Sequence, residues 1–158
     1  MSTPNLANST SPGTRKDVLT ECLEAVKKDI LSVGSGDGSQ QAAIVREGLK
    51  RLQVTFYDSR STVLLKYPHA KSSLELLEKE CAIPPKYQVD ATKIDQLYEA
   101  ASFDLIFFTF PHTGVSNNSA HNVTSNQTLL RGFHKAARNL IKKEGEIQIT
   151  LKNGQHYD

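Results

Sequence analysis

The sequence predicts an α/β protein built on a doubly wound parallel sheet. Short apolar segments alternate with segments of helical periodicity, and this alternation requires crossover connections between parallel strands. The segment Phe103–Phe110 is almost continuously apolar, as expected for a strand buried on both faces near the middle of such a sheet. A chain of 158 residues has room for one domain with a sizeable core. We therefore expect a single Rossmann-like sheet with helices on both faces.

The elements follow one another in a regular order. Residues 1–15 are rich in Ser, Thr, Asn, Pro and Gly and are predicted to form a disordered arm, while residues 16–158 form the domain. An amphipathic helix at Lys16–Lys28 opens this domain. The predicted strands are Ile30–Val33, Gln53–Tyr57, Lys86–Val89, Phe103–Phe110 and Glu146–Leu151. The predicted helices are Gln40–Arg51, Ser61–Tyr67, Ser72–Glu80, Ile94–Tyr98 and Gln127–Lys142, with Asn126 as N-cap of the last and Gly145 as its stop.

Composition argues against several classes of protein. No segment approaches the roughly 20 apolar residues that cross a membrane, and the N-terminus lacks the apolar region of a secretory signal, so we expect an intracellular protein without a membrane partner. Cys22 and Cys81 have no zinc-binding spacing, so reduced thiols and no metal site are expected. The net charge of +2 does not by itself indicate nucleic-acid binding. The basic residues of the last helix fit phosphate contacts and an ordinary solvated face equally well: Arg131, Lys135, Arg138, Lys142 and Lys143.

A glycine-rich segment, Gly34-Ser35-Gly36-Asp37-Gly38, follows the first predicted strand. Three glycines allow a tight turn and a close approach of a ligand to the backbone, and the next helix directs its free amide groups toward that turn. The spacing G-x-G-x-G is typical of methyltransferases, whereas dinucleotide-binding folds prefer G-x-G-x-x-G. A nicotinamide-dependent oxidoreductase is therefore the less favoured enzyme, and a connection without a ligand is the other alternative.

Carboxylates follow the next two predicted strands. Asp58 lies about 20 residues beyond the glycines, where a carboxylate can accept hydrogen bonds from ribose hydroxyls. Asp90 can accept from the exocyclic amine of adenine while the backbone of Ala91 contacts the ring. A turn or helix-cap role is the alternative for each carboxylate. Because the carboxyl ends of parallel strands meet at one edge of a sheet, these residues predict a cofactor pocket there.

The segment Phe110-Pro111-His112 follows the fourth predicted strand. Phe110 is a candidate to stack on a flipped base, and Pro111 would fix the backbone. His112 is a candidate base or hydrogen-bond partner, with a structural or solvent-exposed histidine as the alternative. The polar stretch that continues to Ser125 has the length of a lid or a substrate loop.

These segments resemble a known family. Ile30–Gly38, Thr55–Arg60, Val89–Thr92, Phe103–Gly114 and Asn126–Lys152 are similar to the Rossmann-like, S-adenosylmethionine-dependent domain of the 25S rRNA (uridine-N(3))-methyltransferase family. That domain also occurs joined to a ferredoxin-fold anticodon-binding domain in some animal proteins. The most specific motifs are Tyr57-Asp58-Ser59-Arg60, Lys66-Tyr67-Pro68, Val89-Asp90-Ala91-Thr92, Phe110-Pro111-His112 and Gly145-Glu146-Ile147.

The resemblance implies methylation of N-3 of a uridine in large-subunit rRNA, with S-adenosylmethionine as cofactor. It also implies an RNA partner and a nucleolar setting, with the cytoplasm as the other compartment. His112 is the first candidate to accept the proton that the imide nitrogen loses, and Asp37 is the second. The predicted catalytic residues are Phe110, Pro111 and His112, and the predicted cofactor-binding residues are Gly34, Ser35, Gly36, Asp37, Gly38, Asp58, Ser59, Asp90 and Ala91.

Two features depart from this family. Its first loop usually reads closer to V-G-E-G-D-F-S-F, whereas Ser35 replaces the glutamate and Gly38 and Gln40 replace the two aromatic residues. The sequence also ends just after the fifth predicted strand, whereas methyltransferase sheets normally add two more. We therefore expect a sheet without its last two strands, whose exposed edge a protein partner could cover. A non-catalytic binding module of the same family is the alternative function.

Overall fold

A four-stranded parallel sheet forms the centre of the computed structural model, which describes residues 20, 24, 26–113 and 119–152. Its strands are β1 (Ile30–Val33), β2 (Leu52–Val54), β3 (Phe103–Thr109) and β4 (Ile141–Thr150), in the order β2-β1-β3-β4. Every neighbouring pair is parallel. Because the first strand lies inside the sheet and the chain winds outward on both sides of it, the predicted doubly wound topology is confirmed.

Helices cover both faces of this sheet. The α-helices whose bounds are described are α1 (Ser39–Arg46), α2 (Arg60–Lys66), α3 (Lys71–Glu80) and α4 (Ser119–Leu140), and 3-10 turns occupy Pro68–Ala70 and Ala91–Gln96. Successive side chains of a strand point to opposite faces, so Phe108 enters one core and Phe107 the other. The first core includes Phe133 of α4, and the second includes Leu74 of α3.

Most predicted elements form within a few residues of their expected bounds, although α1 ends at Arg46 rather than at Arg51. Gly48 adopts a φ of +90° just beyond it, which stops the helix. The predicted arm at residues 1–15 lies outside the described residues, as does most of the predicted helix Lys16–Lys28. Within the described ranges, no helix combines the length and apolar character that a bilayer crossing requires.

The prediction of a strand at Lys86–Val89 is wrong. Lys86 makes a single parallel bridge to Thr55, and Gln88 has a φ of +58°, which turns the backbone out of the extended conformation. The segment nevertheless begins beside β2, because the amide N–H of Lys86 donates to the carbonyl oxygen of Val54 at 2.9 Å. It therefore covers one edge of the sheet without continuing the ladder.

The predicted limits of the last helix are also wrong. Because α4 begins at Ser119, Asn126 is a fully buried interior residue and not its cap. The predicted lid or substrate loop extended to Ser125, but residues 119–125 form the start of this helix. The rest of that predicted loop, residues 114–118, lies outside the described part of the chain. Gly145 belongs to β4, where an added Cβ would lie 2.9 Å from the carbonyl oxygen of Asp104. Gly145 therefore permits the close approach of β4 to β3 and does not stop the helix.

Strand β4 forms the other edge of the sheet as described. Ile147 and Ile149 pack against the core beneath α4, whereas Glu146, Gln148 and Thr150 are exposed. One face of β4 is therefore partly buried and the opposite face is open.

Candidate active site

A cavity of about 620 Å³ lies at the carboxyl ends of the strands. Its volume falls within the range of about 300–1,000 Å³ that is usual for small-molecule sites, and its position is where doubly wound sheets bind ligands. Most of the residues predicted from the sequence line it: Gly34, Gly36, Asp58, Asp90, Ala91, Phe110 and His112. Segments far apart in the chain thus meet around one space.

The glycine turn forms the wall of this cavity nearest β1. Gly34 and Gly36 have φ values of +61° and +59°, which side-chain-bearing residues rarely adopt. A Cβ on Gly34 would lie 2.5 Å from the ring of Phe108, whereas a Cβ on Gly36 would have no neighbour within 4 Å. The first glycine is therefore required for packing, and the second leaves the wall open toward a ligand.

The remaining members of the glycine segment support the turn from outside the cavity wall. The hydroxyl of Ser35 is buried and lies 2.9 Å from that of Ser32, and the amide N–H of Ser35 donates to the carbonyl oxygen of Thr55 at 3.0 Å. An added Cβ on Gly38 would lie 3.3 Å from atoms of Phe56 and Leu77. Ser35 thus bonds the turn to neighbouring backbone and side chains, and the absence of a Cβ at Gly38 lets the start of α1 pack closely against the core.

Asp37 accepts hydrogen bonds at the start of α1. Its carboxylate accepts from the amide N–H and the hydroxyl of Ser39, at 2.9 and 2.7 Å, and lies 2.9 Å from Nε2 of His69. Burial alone would raise the pKa of Asp37, but the hydrogen bonds from Ser39 and His69 outweigh it and lower the pKa. Asp37 is therefore a weak proton acceptor, and it does not line the cavity.

Asp58 is joined in the cavity wall by Lys66, to which the sequence analysis assigned no role. Lys66 Nζ lies 2.8 Å from Oδ2 of Asp58, and this hydrogen bond raises the pKa of Lys66. Asp58 lies just before the N-cap of α2 and Lys66 is its last residue, and the helix is short enough for the lysine side chain to reach back. A ligand hydroxyl could donate to Asp58 and accept from Lys66 at once. Ser59, by contrast, is the N-cap of α2, and its hydroxyl accepts from the amide of Thr62 at 3.2 Å.

Asp90 serves as a cap and also borders the cavity. Its Oδ1 accepts from the amide N–H and the hydroxyl of Thr92, at 2.9 and 2.7 Å, and caps the 3-10 turn. The adjacent Ala91 is buried and lines the same wall. The capping alternative is therefore present in the structure, and it occupies one carboxylate oxygen at the edge of the cavity.

The segment Phe110–Thr113 is held at both ends. The amide N–H of Phe110 donates to the carbonyl oxygen of Thr150 in β4 at 2.8 Å. The amide and hydroxyl of Thr113 donate to Oδ1 of Asn126 in α4, at 3.0 and 3.3 Å. Between these anchors, Phe110 is 51% exposed and has a φ of +53°. His112 is exposed and lines the cavity, whereas Pro111 is buried and does not line it. A backbone strained by about 1–2 kcal/mol therefore presents an aromatic ring at the cavity.

Sequence reasoning missed the contribution of Asn126. The signal was available, because Asn126 occupies a buried position of α4 one heptad before Phe133 and two before Leu140. A polar residue in an apolar register needs a hydrogen-bond partner inside the protein.

Comparison with known proteins places these residues in a family. The family model described as BMT5-like rRNA (uridine-N3-)-methyltransferase matches residues 31–158. An uncharacterized Arabidopsis thaliana protein is 28% identical over 130 residues, which cover 78% of this chain and 62% of that protein. Human ferredoxin-fold anticodon-binding domain-containing protein 1 is 31% identical over 129 residues, covering 80% of this chain and 20% of that protein. Heavy metal-associated isoprenylated plant protein 41 of Arabidopsis thaliana is 30% identical over 132 residues, covering 78% and 25%.

The chain thus spans less than two thirds of the length of each of these relatives. Among solved structures, a proposed methylase from Haemophilus influenzae superposes with a TM-score of 0.47 and 14% identity, over 81% of this chain and 71% of that one. The match of the family model over most of the chain is decisive: the protein belongs to the BMT5-like rRNA (uridine-N3-)-methyltransferase family.

Proposed function

We propose that the cavity binds S-adenosylmethionine and that the protein methylates N-3 of a uridine in RNA, with large-subunit rRNA as the substrate class. One observation carries the proposal: residues that follow separate segments of the sheet, from Gly34 to His112, converge on a single cavity of about 620 Å³. Membership of the family supports methyl transfer as the reaction. The same proposal predicts a nucleolar location, which imaging of a fluorescent fusion would test.

The residues of the cavity fit this cofactor. The open space beside Gly36 would take the methionine part, because nothing lies within 4 Å of that position. Asp58 and Lys66 would share the ribose hydroxyls, and Asp90 with Ala91 would border the adenine. The cofactor, when bound, supplies an electrophilic methyl group. Phe110 would stack on the uracil at the cavity mouth, and His112 would receive the proton from N-3.

Calorimetric titration with S-adenosylmethionine, and in parallel with NAD, tests the cofactor. Binding of S-adenosylmethionine alone is expected, whereas binding of NAD alone would overturn the proposal and favour the oxidoreductase. Asp58→Ala removes acceptors for the ribose and should weaken binding by about 10- to 100-fold, as expected for hydrogen bonds to a charged group. Unchanged affinity would exclude Asp58 from the site.

A second pair of variants separates the contribution of Asp58 from that of Lys66. Asp58→Ala also leaves Lys66 without its carboxylate, and an uncompensated cation would repel the positively charged sulfonium. In the Lys66→Met background this repulsion is absent. If Asp58→Ala still weakens binding there, the loss comes from Asp58 itself and does not depend on Lys66. Recovery of the affinity would instead assign the loss to Lys66.

Methyl transfer itself is measured with a radiolabelled methyl donor and purified large-subunit rRNA. Incorporation that maps to N-3 of uridine would establish the reaction. Cofactor binding without incorporation would favour the non-catalytic module, an alternative supported by the replacement of the two loop aromatics by Gly38 and Gln40.

A further inference from the structure

Helix α4 carries an exposed basic face. None of its 22 residues is acidic, and Arg131, Lys135 and Arg138 are all exposed. Among the ion pairs of the described residues, none involves these three cations. Lys142, which the sequence grouped with them, is instead paired with Asp29 and Asp104, at 3.2 Å from each. The basic face therefore consists of Arg131, Lys135 and Arg138.

The three side chains share one side of the helix. Residues three and four positions apart are neighbours on a helix surface, and Arg131 to Arg138 spans about 10 Å along the axis. The opposite side of the same helix is buried through Phe133 and Leu140. Thr128 lines the cavity and precedes Arg131 by three residues, so the basic face begins about one helical turn from the cavity wall.

We propose that this basic face binds the phosphate backbone of the RNA strand whose uridine enters the cavity. Arg and Lys are the residues that contact phosphates, whereas bases are held by stacking on aromatic rings. The exposed aromatic rings Phe110 and Tyr57 line the cavity. The strand would thus lie with its target base over the cavity and its neighbouring phosphates along α4. The identity of the polyanion as RNA rests on the proposed function.

The composition of this face favours RNA over a membrane or a protein partner. A membrane-binding helix places large apolar residues beside its cations, and a protein interface usually has an apolar or aromatic centre. The large exposed apolar side chains among the described residues all lie outside α4: Val26, Tyr57, Leu65, Ile83, Leu97, Phe110 and Leu151. A face with cations and no such residues is suited to a charged, hydrated backbone.

The test is a fluorescence-anisotropy titration of the chain with a labelled single-stranded oligouridine at several salt concentrations. The variant Arg131→Gln/Lys135→Gln/Arg138→Gln is compared with Arg46→Gln/Lys71→Gln/Lys79→Gln, which removes the same charge from exposed positions of α1 and α3. Each phosphate contact contributes about 0.7 to the slope of log affinity against log salt. The first variant should therefore lose about two units of slope and bind at least about tenfold more weakly at low salt. The control should stay near wild type.

Three results would overturn the proposal: an unchanged first variant, equal losses in both variants, or no RNA binding by the wild-type chain. Calorimetry with S-adenosylmethionine accompanies each variant and should be unaffected, because the mutated residues do not line the cavity. A wild-type chain that binds no S-adenosylmethionine but shows the position-specific salt dependence would count against the proposed function and support the RNA surface.

Discussion

Replacing Asn126 by leucine removes the acceptor that fixes the segment Phe110–Thr113 to α4. Oδ1 of Asn126 accepts two hydrogen bonds from Thr113, at 3.0 and 3.3 Å, and the asparagine is fully buried. A hydrogen bond contributes about 0.5–1.5 kcal/mol net, and a donor left without a partner costs more when water cannot reach it. We expect a loss of about 2 kcal/mol in the free energy of unfolding, which corresponds to a Tm lower by about 4–8 °C for a domain of this size.

Urea denaturation of two comparison variants tests the reasoning. Thr113→Val removes only the hydroxyl donor and should cost less than about 1 kcal/mol. Asn139→Leu makes the same substitution on the same helix, where the amide donates to Asp95 at 2.9 Å on the exposed surface. If Asn126→Leu is no more destabilising than Asn139→Leu, the buried acceptor does not hold the segment.

Enzyme kinetics distinguish a role of Asn126 in positioning His112 from a role in stability alone. Because His112 lies in the segment that Asn126 anchors, Asn126→Leu should lower kcat for methyl transfer per folded molecule while the affinity for S-adenosylmethionine is kept. Reduced stability with an unchanged kcat would limit Asn126 to a structural role.

Three further substitutions test the glycine turn and the acid stability of the sheet. Gly34→Ala should destabilise the protein by about 2–4 kcal/mol, because its Cβ would lie 2.5 Å from Phe108 and the backbone there is left-handed. Gly36→Ala should cost only the backbone strain of about 1–2 kcal/mol, because its Cβ would meet no neighbour. Equal losses of stability in thermal denaturation would refute the packing argument. The hydrogen bond from the amide of Asp29 lowers the pKa of Asp104 from its ordinary value of 3.8. Asp104 therefore stabilises the fold above the pKa of the unfolded chain, and this contribution is lost as the pH falls through the lower pKa of the folded protein. When the free energy of unfolding is measured by urea denaturation at decreasing pH, Asp104→Asn should therefore lose less stability than wild type. The same dependence on pH in both proteins would refute the role of this carboxylate.

The sequence predicted the parts of the fold that depend on local pattern. Apolar periodicity identified the strands of the sheet, and the residues that follow them meet because parallel strands end at one edge. It failed at Lys86–Val89, where the positive φ of Gln88 ends the pairing after the single bridge at Lys86. Such a backbone angle in a residue other than glycine is set by packing, and composition does not reveal it.

The site itself was predicted only in part, for a related reason. Position after a strand identifies Asp58, but it does not show that Lys66 returns to it from the far end of α2. Ser35 illustrates the converse, because its place in the glycine turn indicated a ligand contact while its hydroxyl is bonded inward to Ser32. Both outcomes depend on which side chains neighbouring elements bring into contact.

The same kinds of contact favour His112 over Asp37 as the candidate base. Asp37 is bonded by Ser39 and His69, its pKa is lowered, and it lies outside the cavity lining. His112 is exposed in the cavity wall, and a general base must reach the proton before its basicity matters. His112→Ala should therefore keep the affinity for S-adenosylmethionine and lower methyl transfer by about 10²- to 10⁴-fold, whereas Asp37→Asn should leave transfer near wild type. The opposite pattern, full transfer in His112→Ala and a selective loss in Asp37→Asn, would show that Asp37 reaches the substrate by a rearrangement of the glycine turn, and would exclude His112 as the base.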